Sequence, residues 1–176
     1  MTFQTFKHRV FVIALFVMAS VSIHAQQPSM QALIGQSLSK IQQPTPEAFL
    51  NCIAEMKRID AMFPDSILPK YQMALQSLNF SVMNPQAPQT ESLLAETEQT
   101  ITKIEQMNLA DQSDICTLRC FLYMVRIVQD PARNGQRYYL DVMQNYEKAL
   151  KLNPDNQLAK QLQQKFFEGM QQQTGK

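Results

Sequence analysis

The side chains that could do chemistry here are three cysteines, a row of carboxylates, and a run of arginines and tyrosines. Cys116 and Cys120 stand four apart. On one helix, residues at that spacing have Cβ atoms about 5–6 Å apart, whereas a disulfide needs about 3.5–4.5 Å. A bridge between them would distort the helix. Cys52 could pair with either and leave the other free; the alternative is three small side chains packed between helices, and that is the expectation. Three thiols with no histidine beside them do not complete a zinc site, so neither a metal nor any other cofactor is expected.

Glu91, Glu98 and Glu105 repeat at intervals of seven, which lets Glu98 and Glu105 share one helix face. A catalytic carboxyl pair needs one acid in a dry environment with a raised pKa, and a periodic charge run is the mark of a solvated face. Asp65 and Asp155 directly follow Pro64 and Pro154 and read as helix caps. The four glycines are single and far apart, so no phosphate-cradling loop is present.

Arg119, Tyr123 and Arg126 follow i, i+4, i+7 spacing and share a face, and Arg133, Arg137 and Tyr138 come from the next loop and helix start. Arginine and tyrosine each join apolar contact to a polar end, the combination enriched where proteins recognise one another. These six residues are the candidate partner-binding set. A competing reading is internal: Glu91, Glu96, Glu98, Glu105, Asp111 and Asp114 precede them, and adjacent helices of opposite charge can pair with each other.

The elements that carry these residues begin after an export signal. Lys7, His8 and Arg9 precede an apolar run over residues 10–21, and Ala25 stands at the expected cleavage point. Residues 10–23 would make a helix only about 21 Å long, short of the roughly 30 Å hydrocarbon core. Residues 1–25 therefore read as a cleavable signal peptide and 26–176 as the mature domain, periplasmic or secreted, with no membrane span after cleavage. Both histidines, His8 and His24, leave with the signal, which removes histidine triads and histidine general bases from consideration. Losing Lys7 and Arg9 leaves 14 basic against 15 acidic residues, a net charge near −1. That balance gives no basis for binding nucleic acid.

Apolar residues recur at helical spacing through the remainder, predicting helices over about 29–42, 46–63, 66–83, 89–108, 112–129, 136–152 and 156–172. Residues 83–89 and 130–136, rich in Pro and Gly, read as loops. Within 145–156, Tyr146, Ala149, Leu150 and Leu152 form a stripe that Asn153-Pro154 stops, with Asp155 or Asn156 free to cap the next helix. An offset of 45 aligns Tyr146 with Ile101 and Met56, Ala149 with Ile104 and Ile59, Leu152 with Met107 and Met62, and Tyr139 with Leu94 and Phe49. Every aligned position is apolar, with repeat ends near 64, 109 and 154. Most of the 11 methionines, among them Met56, Met62, Met73, Met83, Met107, Met124 and Met143, fall on these stripes and are expected in the core. The last helix carries Leu158, Leu162, Phe166 and Met170 on one face, and Phe167 breaks the pattern.

Tyr146, Ala149 and Pro154 stand at the spacing of a large residue, an alanine and a helix-ending proline in the second helix of a tetratricopeptide repeat, and the stretch over about 135–165 resembles that family. The offset of 45 departs from the family's usual 34 residues, and the Trp-Leu-Gly-Tyr signature of its first helix is not visible. The resemblance implies an all-α superhelix of stacked helical hairpins that works by binding a protein or peptide. The expected role is a non-catalytic scaffold, adaptor or accessory subunit in the bacterial cell envelope. The rival readings are a small-molecule or glycan binder, an enzyme using carboxylates or Tyr, and self-association into a homo-oligomer through the last helix and Phe167.

Overall fold

Short polar side chains and prolines decide where the helices begin. The computed structural model describes residues 28–174, with side chains as far as 171; the expected signal segment lies outside these residues. Helix α1 spans Met30–Ser39, opened by Ser29, whose hydroxyl accepts the Ala32 N–H. Helix α2 spans Pro46–Met62, with Thr45 as its cap and Pro46 in the first turn. Helices α3 (Ile67–Met83) and α4 (Thr90–Gln106) follow, then α5 (Gln112–Gln129), capped by Asp111. The last two are α6 (Pro131–Leu152), capped by Asp130, and α7 (Gln157–Thr174). The described residues are all-helical, with seven helices and no strand. No helix among them is long and apolar enough to cross a membrane.

Two expectations are corrected at helix starts. Residues 130–136 are not a loop, because α6 begins at Pro131. The Asp130 carboxylate accepts the Arg133 N–H at 3.1 Å. Proline at the first position costs no hydrogen bond there, since that N–H has no partner in any helix. Arg133 and Arg137 are thereby placed one turn apart on a regular helix. Asp65 is not a cap either, and of the two residues offered for the last helix it is Asn156, not Asp155, that caps. The cap positions fall one residue later, on Ser66, which makes no side-chain cap bond, and on Asn156, whose amide oxygen accepts the Ala159 N–H at 3.0 Å.

Helices α3, α5 and α7 start at Ile67, Gln112 and Gln157, 45 residues apart in each case. Consecutive helices pack together, α5 with α6 most extensively, and α3 also touches α5 while α5 touches α7. The columns read from the sequence divide by depth. Met56, Ile101 and Tyr146 are buried, as are Ile59, Ile104 and Ala149. Phe49 and Leu94 are buried and Tyr139 is half-buried. The third column is not buried: Met107 is half-buried, and Met62 is 51% and Leu152 52% exposed. Met62 and Leu152 sit in the last turn of their helices, one turn beyond the buried Ile59 and Ala149. Met83, at the end of α3, is exposed for a similar reason, whereas Met56 and Met73, in helix interiors, are buried.

One core cluster gathers Ile34, Phe49, Ile53, Met56, Phe80 and Leu93 from the first four helices. A larger one runs from α3 to α7 through Leu78, Leu94, Ile101, Leu118, Leu122, Val125, Val142, Tyr146, Leu162 and Phe166. At the end of α4, Leu109 stands 45 residues from both Pro64 and Pro154, and the chain is turned there by Asn108 at φ 54°. That left-handed conformation is one Asn tolerates better than most residues.

Candidate partner-binding surface

Helix α5 has α4 and α6 packed against it, and its arginines face the carboxylates of α4. The Arg119 guanidinium donates to both Glu105 oxygens, at 3.0 and 2.6 Å. Arg126 donates to both oxygens of Glu91, at 2.8 and 2.6 Å, and Gln129 adds a third hydrogen bond. The hydrogen bond from Arg126 holds the Glu91 carboxyl below its ordinary pKa, and that to Glu105 raises Arg119. For these two arginines the internal pairing is what the structure contains.

The remaining candidates cluster around an aromatic contact. Tyr123 of α5 and Tyr138 of α6 stack with ring centroids 5.4 Å apart and planes at 19°. The Arg137 guanidinium lies 5.0 Å from the Tyr138 centroid, in range for a cation–π attraction. Tyr139, the next residue, turns inward to Phe166 at 5.7 Å, as its place in the apolar column requires.

A groove runs along this surface. Its larger part, about 560 Å³, is lined by Glu91, Arg126, Asp130, Arg133 and Asn134, and its smaller part, about 350 Å³, by Glu98, Leu122, Tyr123 and Asp141. Arg126, Arg137 and Tyr138 border both parts. The fold thus gathers Tyr123, Arg126, Arg133, Arg137 and Tyr138 and ties Arg119 to Glu105 instead. Sequence reasoning missed Asp141, and it read Glu98 only as part of a solvated face. The one available signal for Asp141 was its place four residues after Arg137. Arg133, Arg137, Glu98 and Asp141 make no ion pair among the described residues.

Two other polar constellations lie elsewhere. Lys70 is only 1% exposed, and its ammonium donates to Asp60 at 2.6 Å and to the carbonyls of Pro64 and Ser66 at 2.6 and 3.1 Å. It closes the turn between α2 and α3. Asn156 donates to Ser113, Thr117 and Asp114, tying α7 to α5. Burial, helped by Asp111, raises the Asp114 carboxyl, while the Asn156 amide opposes the rise. Burial, and then the charge of Asp114, pushes the Tyr71 phenol up to about 12.

The cysteines are free and buried, one in each of three separate clusters. Burial raises all three thiols, and Cys120 is pushed up to about 12. They are packing groups, with Cys52 accepting the Ser37 hydroxyl at 3.4 Å. No group of three or more His, Cys, Asp or Glu residues that could hold a metal ion occurs among the described residues.

No family model matches the chain, and neither a curated protein nor a solved structure shows significant similarity to it.

Proposed function

We propose that this chain is a non-catalytic protein-binding module of the bacterial cell envelope, exported by its N-terminal signal and built as a tetratricopeptide-like superhelix. The architectural part rests on the regular start of α3, α5 and α7 every 45 residues and on the contacts of α3 with α5 and of α5 with α7. Repetition of a helical pair against its neighbour builds an extended, rigid surface rather than a closed pocket, and such surfaces serve peptides, helices and subunits.

The observation that carries the binding reading is the groove along α5. Stacked tyrosines and two guanidiniums without carboxylate partners border it, and such groups anchor protein interfaces. Two of the acids that repeat at seven, Glu91 and Glu105, are held in arginine pairs, an arrangement for joining helices rather than for moving protons. The test is capture of partners from envelope extract by the wild-type protein and by Arg133→Glu plus Arg137→Glu. These two side chains make no ion pair, so the variant keeps its fold by circular dichroism. The reading expects a specific protein held by the wild type and lost by the variant. Identical retention by both contradicts it.

A further inference from the structure

The groove is net positive toward one end and net negative toward the other. Arg133, Arg137 and Asp141 follow one another at four-residue steps along α6 and so share a face. At 1.5 Å rise per residue, Arg133 and Asp141 are about 12 Å apart along the helix. The Arg133 end also holds Arg126, whose charge Glu91 already meets. The Asp141 end faces Glu98 of α4. With the Arg126–Glu91 pair set aside, the Arg133 end holds Arg133 and Arg137 against Asp130, one guanidinium in excess, and the other end holds Glu98 and Asp141 against Arg137, which borders both, one carboxylate in excess; the Tyr123–Tyr138 stack borders the stretch between.

We infer that the groove takes an extended peptide segment that carries both an acidic and a basic side chain. The acid meets Arg133 and Arg137, whose planar forks suit a carboxylate. The base meets Glu98 and Asp141, the two carboxylates that line that end. The residues between lie over the tyrosine stack. An extended chain advances about 3.3–3.6 Å per residue, so a span of about 12 Å sets the two charges three to four residues apart. A segment of a single charge meets repulsion at one end, which makes the groove selective as well as attractive. This inference rests on the reading of the chain as a binder of protein segments and names the chemistry of what it binds.

The probes are fluorescein-labelled Ala/Ser peptides carrying one Lys and one Glu at graded separations, with two-Lys and two-Glu controls, read by anisotropy. Wild-type protein is expected to bind best at a separation of three or four. It is expected to bind either control about tenfold more weakly, a difference of about 1.4 kcal/mol. Arg133→Glu plus Arg137→Glu is expected to reverse the preference toward the two-Lys peptide. Binding that ignores separation, or a variant with unchanged preference, overturns the inference. So does failure of every mixed-charge peptide when the wild type still captures an envelope protein, and in that case the binding reading survives. Failure of the peptides together with failure of capture removes both.

Discussion

The side-chain amide of Asn156 donates to the hydroxyls of Ser113 and Thr117 at 2.9 and 3.1 Å, while its oxygen accepts the Ala159 N–H of its own helix. One buried residue therefore starts α7 and fastens it to α5. The Ser113 hydroxyl passes the connection on by donating to the Ala149 carbonyl in α6.

Asn156→Ala removes a cap, worth about 0.5–2 kcal/mol, and leaves buried polar groups short of a partner, at about 1–3 kcal/mol. We expect a total loss of about 2–3 kcal/mol, read as a lower urea midpoint at unchanged slope. Asn156→Asp keeps the cap oxygen but gives up the donor and sets a carboxylate against Asp114. It should be at least as damaging at neutral pH and should recover as the pH falls.

Lys70 and Asp60 predict an asymmetry. Asp60→Ala leaves an ammonium, almost wholly out of water, held by two carbonyls alone, and the loss of a buried pair's partner costs about 3 kcal/mol. Lys70→Met removes the buried charge itself, fills similar volume, and leaves Asp60, which is 21% exposed, to water. We expect it to cost about 1–2 kcal/mol. Denaturant titration of both variants checks the order, and a larger loss in Lys70→Met would contradict it.

The Glu91–Arg126 pair sets a pH dependence. Glu91 has its folded pKa below the ordinary 4.5. Its contribution is therefore fully present above pH 4.5 and is lost as the pH falls through the depressed value. Asp114 acts in the opposite sense. Its folded pKa lies above 3.8, so its contribution is present below 3.8 and is lost as the pH rises through the raised value. Carboxyl titration by NMR should find Glu91 low in the wild type and near its ordinary value in Arg126→Met.

The thiols should resist reagents in the folded protein. Burial and raised pKa values leave little thiolate at Cys52, Cys116 and Cys120, and the thiolate is the reacting form. Iodoacetamide at pH 8 should label native protein slowly, Cys120 slowest of all, and add three groups on unfolding. Rapid native labelling of Cys120 would contradict the packing described for it.

Much of the helical framework was legible because burial repeats at the helical period. Met56, Ile101 and Tyr146 announce the same buried column from sequence alone. Pro64 and Pro154 likewise mark real stops. Pro131 misled, since proline breaks a helix interior yet suits a first turn, and only its pairing with Asp130 as a cap tells the two apart. The depth of Met62 and Leu152 was hidden because periodicity gives direction and not how far the neighbouring helix reaches. Lys70 left no signal, as its burial depends on carbonyls that converge only once the turn between α2 and α3 has formed. The Arg and Tyr spacing disclosed most of the candidate surface. The opposition of Glu98 and Asp141 across the groove was invisible, being a product of how α4 and α6 flank α5.

The binding proposal requires a protein partner in the groove beside α5. A photo-reactive residue placed at Gln86, exposed on the groove rim, and another at Gln164, exposed on α7, would test it by ultraviolet crosslinking in intact envelope. A discrete crosslinked protein is expected from position 86, lost with Arg133→Glu plus Arg137→Glu, and none is expected from position 164. Crosslinks only from 164, or from 86 regardless of those arginines, would contradict it.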